Sequence, residues 1–260
     1  RSHACAARHT TQHTMQHTVL AVIPARYGST RFPGKIIRPL AGKPLVRHTY
    51  ERTIRARLVG QAIVATDDER VAQALAPYDT PVIMTRADHP TGTDRIAEVA
   101  AQRDEDLIVN VQGDEPLIEP DTIDGAIAPL LEKPDVVMAT TRHRIDDVAH
   151  AMDPNTVKVV CDAQGLALYF SRAPIPHVRD AGDAGEYWQH IGLYVYRREF
   201  LLRYAAMPQT PLERLEKLEQ LRALENGYKI AVAETTYKSV GVDVLEDYER
   251  IRVIFEGGNA

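Results

Sequence analysis

The sequence contains little cysteine, few aromatic residues and no long hydrophobic segment. Only two of its 260 residues are cysteine, Cys5 and Cys161, which excludes a disulfide-stapled scaffold and a metal cage built from cysteine alone. A chain so poor in cysteine is typical of a reducing compartment, so we expect a cytoplasmic location. Because no apolar run approaches the roughly 20 residues of a transmembrane helix, we expect no membrane partner.

An excess of positive charge is also lacking. Lysine and arginine together number 31 against 36 aspartates and glutamates, and the formal net charge is −5. Because a general nucleic-acid-binding domain carries a basic surface, this balance predicts that nucleic acid is not a partner. Hydrophobic residues make up 44% of the chain and charged residues 26%, which indicates an ordinary globular protein.

Residues 1–17 differ in composition from the remainder of the chain. They contain four of the ten histidines and no acidic residue. They lack the apolar stretch of about 7–15 residues that a signal peptide requires, and the irregular spacing of the histidines argues against a metal site. We therefore expect a disordered tail or an appended remnant here, followed by a single folded unit over residues 18–260.

Strand and helix patterns alternate from residue 18 to about residue 140. Short β-branched apolar runs predict strands at 19–23, 61–65, 81–84, 107–111 and 136–140. Amphipathic segments between them predict helices at 44–57, 67–76, 91–102 and 121–131. This alternation predicts a Rossmann-like α/β fold, in which a mixed, mainly parallel sheet is flanked by helices.

The second half of the sequence has a different pattern. Two short strands are predicted at 157–161 and 166–170, joined by a hairpin-like turn, and they indicate a smaller antiparallel patch. Further strands are predicted at 191–196 and 228–233, and a helix at 245–255. Residues 211–225 carry five leucines and predict one continuous helix.

The loop after the first predicted strand concentrates positive charge. Within residues 24–35 it carries Arg26, Arg31 and Lys35, together with Gly28 and Gly34. Ligands of α/β sheets bind beyond the carboxyl ends of the strands, and spread backbone donors with cations are what a triphosphate needs. The glycine and lysine spacings match neither a Walker loop nor the G-x-G-x-x-G turn of a dinucleotide-binding enzyme, which argues against an NAD-dependent dehydrogenase.

Two acidic residues follow other predicted strands. Asp114 lies in the segment NVQGDEP at 110–116, and Asp243 ends the segment SVGVD at 239–243. A carboxylate at a strand end can hold Mg²⁺, which prefers oxygen ligands and shares them with phosphates. Each acid can instead cap the turn or the helix that follows it, and the residues alone leave both interpretations open.

Several segments together resemble the sugar-activating nucleotidyltransferases, specifically the 3-deoxy-manno-octulosonate (KDO) cytidylyltransferases. The resemblance extends from about residue 19 to residue 254. Its motifs are RYGSTRFPGK at 26–35, MTRADH at 84–89, VNVQGDEP at 109–116, LYFSR at 168–172 and GVD at 241–243.

The resemblance implies a fold like that of nucleotide-diphospho-sugar transferases and a specific reaction. CMP would pass from CTP to KDO, giving CMP-KDO and pyrophosphate, with Mg²⁺ as cofactor. This step would activate KDO for lipopolysaccharide synthesis. Residues 18–150 would mainly bind the nucleotide, and residues 151–240 would mainly bind the sugar and form a homodimer.

The resemblance also implies a role for individual residues. The expected catalytic residues are Arg26, Lys35, Asp114 and Asp243, of which Asp114 and Asp243 would hold the metal. The expected nucleotide-binding residues are Pro24, Ala25, Arg26, Gly28, Ser29, Arg31, Lys35, Arg86 and Asp114. The expected sugar-binding residues are Gln112, Arg172, His190, Tyr194, Glu219 and Gln220, with Arg172 suited to the sugar carboxylate.

Two alternative functions remain open from the sequence. One is a cytidylyltransferase for another sugar acid, such as sialic acid. The other is a non-catalytic nucleotide-sensing protein on the same fold, although the presence of Lys35, Asp114 and Asp243 speaks against it.

Overall fold

The computed structural model of the protein describes residues 17–29, 31–180 and 185–257. The predicted tail therefore lies, except for its last residue, outside the described residues. The strands are β1 Val19–Pro24, β2 Pro39–Leu40, β3 Lys43–Pro44, β4 Gln61–Thr66, β5 Val82–Met84, β6 Leu107–Asn110, β7 Met138–Arg144, β8 Lys158–Cys161, β9 Ala167–Ser171, β10 Trp188–Arg197 and β11 Ile230–Glu234. The α-helices are α1 Leu45–Thr53, α2 Glu69–Leu75, α3 Gly92–Ala101, α4 Pro120–Glu132, α5 Val148–Met152, α6 Arg198–Ala205, α7 Pro211–Glu216, α8 Leu221–Glu225 and α9 Leu245–Glu256.

The main sheet is mixed, and four of the six neighbouring strand pairs along its central path are parallel. Its central path runs in the order β11-β7-β10-β6-β1-β4-β5. Strand β1 pairs in parallel with both β4 and β6, and β11 pairs in parallel with β7. Strand β10 lies antiparallel between β6 and β7. The predicted Rossmann-like fold, a mainly parallel sheet flanked by helices, is confirmed.

The predicted antiparallel patch is also present. Strand β8 pairs antiparallel with β9 and with β10, which joins the patch to the main sheet. A separate two-stranded ribbon, β2 with β3, follows the cationic loop. No helix in the described part of the chain has both the length and the apolar character needed to cross a bilayer.

Helices cover both faces of the sheet. Alternate residues of β1 point to opposite sides, so that Ala21 packs in one core and Leu20 in the other. The first core is closed by α1 and α4, and the second by α3 and α6. Strand β1 is almost entirely buried, as expected for a parallel strand with helices on both faces.

The prediction of one helix over residues 211–225 is wrong. The chain forms α7 and α8 with a break between them, where Lys217 adopts a left-handed conformation with φ 54°. Five leucines spaced every three residues drift around a helix of 3.6 residues per turn, so they cannot share one buried face. Leu215 is accordingly 80% exposed, whereas Leu218 and Leu221 are buried.

Other elements also differ from the predicted ones, and β2, β3 and α5 were not predicted. Helix α6 has no counterpart among the predicted elements, although it supplies Phe200 and Tyr204 to the second core. Strand β10 begins at Trp188, three residues earlier than predicted, and its pairing with β7 shifts register between Ile191 and Tyr194. Such an irregularity is not encoded in hydrophobic alternation.

Candidate active site

A cavity of about 410 Å³ opens at the carboxyl ends of β1 and β6. These two strands are neighbours, so the loops that follow them face each other across the cavity. It brings together eight of the predicted site residues. The lining residues are Pro24, Arg26, Gly28, Ser29, Arg31, Lys35, Ile36, Gly92, Gln112, Gly113 and Asp114.

The absence of a side chain at Gly113 allows the two strand ends to approach closely. A Cβ atom at this position would lie 2.7 Å from the backbone oxygen of Pro24, closer than real Cβ contacts. The hydroxyl of Thr49 in α1 donates a hydrogen bond to the Gly113 carbonyl at 3.0 Å. Any larger residue at position 113 would therefore displace the cavity wall.

Lys35 lies at the centre of an ion-pair network. It follows Gly34, whose φ of 71° turns the chain into a short 3₁₀ helix. Its buried Nζ atom lies 2.6 Å from Oδ2 of Asp114, 3.3 Å from Oδ1 of Asp243 and 2.6 Å from the carbonyl oxygen of Val242. The same Asp243 oxygen lies 3.1 Å from Arg31. Four predicted site residues from three distant segments therefore meet.

Arg26 extends the positive charge along the cavity wall. Its guanidinium donates a hydrogen bond to the backbone oxygen of His89 at 3.2 Å. Burial lowers the pKa of Arg26, and the nearby charge of Arg95 lowers it further. An anion in the cavity would offset both effects, since opposite charge favours the ionised form.

A buried carboxylate, Glu115, lies directly behind the network. Ser239 donates a hydrogen bond to its Oε1 atom at 2.7 Å, and the Tyr237 hydroxyl donates to its Oε2 atom at 3.3 Å. Burial, and then the charge of Asp114, raise the pKa of Glu115 to about 7. The family resemblance implies a structural or supporting role for Glu115 rather than direct metal binding. Its position next to Asp114 was the signal available.

A second cavity of about 160 Å³ adjoins the first and shares Gly92 and Gln112 with it. It brings together four of the six predicted sugar-binding residues. The lining residues are Gly92, Thr93, Asn110, Gln112, Met138, Tyr194, Tyr196, Tyr204, Glu219 and Gln220. Tyr196 and Tyr204 were not among the predicted site residues; the register of β10 and the unpredicted helix α6 bring them here.

Hydrogen bonds orient the polar groups of the second cavity. The Tyr194 hydroxyl donates to Oε1 of Gln220 at 3.1 Å, and the Tyr204 hydroxyl donates to the backbone oxygen of Glu219 at 2.6 Å. Burial raises the pKa of the Glu219 carboxyl. Because α7 ends at Glu216, residues 219 and 220 lie in the irregular link before α8 and can face this cavity.

The remaining predicted sugar ligands lie outside the described linings of both cavities. The Arg172 guanidinium donates to the backbone oxygens of Glu216 and Pro154, at 2.7 and 3.0 Å. His190 is buried, with Nε2 2.9 Å from the Thr140 hydroxyl. Burial lowers the pKa of His190 to about 3, so its ring is neutral near pH 7. The substrate roles of both residues stay predictions.

Two predicted nucleotide ligands also lie outside the described lining of the first cavity. Arg86 is exposed, and its Nε atom lies 3.2 Å from Oδ1 of Asp88. Ala25 is fully buried, and its backbone N–H donates to the Ala65 oxygen at 2.8 Å. Their nucleotide contacts likewise stay predictions.

The carboxylates of Asp114 and Asp243 fit a magnesium ion. Within the described ranges, no three histidine, cysteine, aspartate or glutamate side chains cluster as a metal site. Mg²⁺ does not require such a cluster, because it is usually bound by one or two carboxylates with water and substrate phosphates. Both aspartates already face one cation, the Lys35 ammonium, which indicates that they converge on a shared positive charge.

Comparison with known proteins gives one consistent family. A sequence profile described as "Cytidylyltransferase" matches residues 20–230. A 3-deoxy-manno-octulosonate cytidylyltransferase of Solibacter usitatus is 55% identical over 238 residues, which are 92% of this chain and 94% of the relative. A relative of the same name from Geobacter sulfurreducens is 55% identical over 243 residues, 90% of this chain and 97% of that protein.

Solved structures agree with the sequence relatives. The structure of a CMP:2-keto-3-deoxy-manno-octonic acid synthetase complexed with CTP superposes with a TM-score of 0.89 at 41% identity, covering 93% of this chain and 99% of that chain. A cytidylyltransferase from Leptospira borgpetersenii is 18% identical, with a TM-score of 0.63 and coverage of 93% of this chain and 87% of that chain. At that identity the second structure shares the fold alone.

Proposed function

The chain belongs to the cytidylyltransferase family, and we propose that it transfers CMP from CTP to KDO and releases pyrophosphate. The relatives that are 55% identical carry the name of this activity. The observation that carries the proposal is the junction of the two cavities. A cationic cavity and a tyrosine-lined cavity share Gln112 and Gly92, so a nucleotide in one and a sugar in the other would meet at that point.

The reaction needs no covalent intermediate on the protein. The anomeric hydroxyl oxygen of KDO forms a bond to the α-phosphorus of CTP, and the bond from that phosphorus to the bridging oxygen of pyrophosphate breaks. The hydroxyl proton is released to solvent. The protein has to align the two substrates and neutralise the charge on the phosphates.

Arg26, Arg31 and Lys35 would supply the neutralising charge. All three line the larger cavity, and Lys35 is held in place by three contacts with oxygen atoms. Cations that are fixed before the reaction stabilise developing charge without reorganising.

We also propose Mg²⁺ as the cofactor, with Asp114 and Asp243 as its protein ligands. When bound, the ion would supply positive charge against the phosphate oxygens. The protein's part is to hold both carboxylates in one orientation, and the shared contact with Lys35 does so.

On the sugar side, four residues would bind hydroxyl groups of KDO. These residues are Gln112, Tyr194, Glu219 and Gln220. The hydrogen bond from Tyr194 fixes the Gln220 amide, so its nitrogen is presented as a donor. We also propose Arg172 and His190 as sugar-binding residues, on the basis of the family resemblance alone.

The direct test is pyrophosphate release from CTP and KDO, measured with and without Mg²⁺. We expect turnover only with the metal present. Faster turnover with sialic acid than with KDO would favour the other sugar acid. Tight CTP binding with no pyrophosphate release from any sugar acid would indicate a nucleotide sensor. We further propose a cytoplasmic homodimer acting in lipopolysaccharide synthesis, and sedimentation velocity would test the dimer.

A further inference from the structure

The segment that carries Asp243 has no regular secondary structure. Strand β11 ends at Glu234 and helix α9 begins at Leu245, and the described residues between them form neither strand nor helix. Its backbone therefore lacks a sheet ladder or helical bonds to set its position. Contacts with other parts of the molecule must fix where Asp243 lies relative to Asp114.

Glu115, the residue next to Asp114 in the chain, provides such a contact. Each of its two carboxyl oxygens accepts a hydrogen bond from a different side chain of the irregular segment, Ser239 and Tyr237. Because both oxygens are engaged, the carboxyl group has one orientation. A backbone bond from the Val242 N–H to the Asp114 oxygen, at 2.9 Å, joins the same two segments.

From this arrangement, and resting on the proposed function, we propose that Glu115 is a positioning residue for the two metal-binding carboxylates. Through Ser239 and Tyr237 it fixes the distance between Asp243 and Asp114. Glu115 itself is not part of the lining of either cavity.

The burial of Glu115 supports this role. The residue is only 8% exposed, and an acidic group at such depth is costly unless its oxygens are hydrogen-bonded. A leucine or methionine would fill the same space at lower cost. The two acceptor oxygens of Glu115 hold the Ser239 and Tyr237 hydroxyls, which an apolar side chain could not do. The carboxylate at position 115 therefore orients the neighbouring segment rather than filling space.

The experiment removes each hydroxyl separately with Ser239→Ala and Tyr237→Phe. Asp124→Asn is the matched control, because Asp124 is a buried carboxylate in α4 that accepts bonds from the backbone of Arg57 and Leu58. Mn²⁺ is titrated into each protein with CTP and without sugar. Water-proton relaxation reports the metal bound to the protein, and thermal unfolding is measured in parallel.

We expect each hydroxyl deletion to weaken Mn²⁺ binding about 10-fold, the usual effect of losing a group that orients a metal ligand. The Mg²⁺ concentration for half-maximal turnover should rise by the same factor, whereas the KM for CTP at saturating metal stays within about twofold. Ser239→Thr, which keeps the hydroxyl, should restore binding. Asp124→Asn should lower the unfolding temperature without changing Mn²⁺ affinity.

Wild-type Mn²⁺ affinity in both Ser239→Ala and Tyr237→Phe would overturn the proposal. Equal weakening in Asp124→Asn would also overturn it, because the effect would then follow general stability. If the wild-type protein failed to turn over CTP and KDO, the proposed function would fall, yet the Mn²⁺ comparison would still decide the role of Glu115.

Discussion

The ammonium of Lys35 lies 2.6 Å from a carboxylate oxygen of Asp114, although the two residues come from different loops of the sheet. Lys35 follows β1, and Asp114 follows the neighbouring strand β6. The contact joins the cationic loop to the acidic one. Lys35 and Asp114 therefore belong to one charged unit. Substitution of either residue should have a measurable effect on the reaction.

Replacement of Lys35 by alanine tests the cationic half of this unit. We expect Lys35→Ala to lower kcat about 10²–10³-fold, since a fixed charge at the reacting phosphate is lost. Steady-state pyrophosphate release measures the effect. Lys43→Ala is the control, because Lys43 pairs with Glu51 in α1, away from the cavity lining. A kcat near the wild-type value would contradict the assignment of Lys35.

Replacement of Asp114 tests the metal half. Asp114→Asn keeps the size of the side chain and removes its charge. We expect CTP binding to persist and Mg²⁺-dependent turnover to be lost, because one of two carboxylate ligands is gone. Calorimetry measures CTP binding, and pyrophosphate release measures turnover. Full turnover at ordinary Mg²⁺ concentrations would show that Asp114 is not a ligand.

Removal of the Tyr194 hydroxyl tests the proposed sugar site in the second cavity. Tyr194→Phe frees the Gln220 amide to rotate and deletes one polar group of the cavity. We expect the KM for KDO to rise about 5-fold, equivalent to roughly 1 kcal/mol for one hydrogen bond. The KM for CTP should not change. Tyr50→Phe, in α1 on the other side of the sheet, is the control. A changed KM for CTP with an unchanged KM for KDO would refute the assignment of Tyr194 to the sugar site.

The buried Glu115 carboxyl predicts a pH dependence of stability. Its pKa of about 7 in the folded protein exceeds its ordinary value of 4.5, so the folded state binds this proton more tightly than the unfolded state. The stabilising contribution is complete below pH 4.5 and is lost as the pH rises through about 7.

Glu115→Gln removes this titration. In metal-free buffer, the Tm of the variant relative to wild type should increase by about 5 °C between pH 5 and pH 8. Differential scanning calorimetry at several pH values measures it. A Tm difference that stays constant across this range would mean that Glu115 does not titrate as inferred.

A buried ion pair holds α7 and α8 together and predicts a stability effect. Nε of Arg222 donates to Oε2 of Glu213 at 2.9 Å, and both side chains are buried. Arg222→Met leaves the Glu213 charge without its partner, which costs about 3–5 kcal/mol. We expect a fall in Tm of about 10 °C. Arg252→Met, at an exposed ion-pair site on α9, is the control and should change Tm little.

The sequence predicted the parts of this structure that depend on local patterns. Apolar β-branched runs identified β1, β4 and β6, and cations clustered after a buried strand identified the loop with Arg26 and Lys35. A short continuous apolar run and a loop of like charges are both visible in a short window. Eight predicted residues line one cavity, and two of them, Gln112 and Asp114, were assigned their roles through the family resemblance rather than from local patterns.

The features that sequence reasoning missed depend on distant contacts. The break at Lys217 separates the exposed Leu215 from the buried Leu218 and Leu221, a difference that a count of leucines does not reveal. The role of Glu115 depends on Ser239 and Tyr237, from a segment far along the chain. The contact of His190 with Thr140 is likewise made between two strands distant in sequence, and the sugar-binding role of His190 stays a prediction.

The position of β10 has a consequence for folding of the chain during synthesis. This strand is synthesised after β6 and β7, yet it inserts between them at the centre of the sheet. A nascent chain that ends before residue 188 exposes two inner strand edges, which are templates for wrong pairing. Residues 18–150 therefore cannot complete this sheet on the ribosome before β10 has been synthesised. We expect the sheet to be completed only late, with the whole chain, because contacts of large sequence separation slow folding.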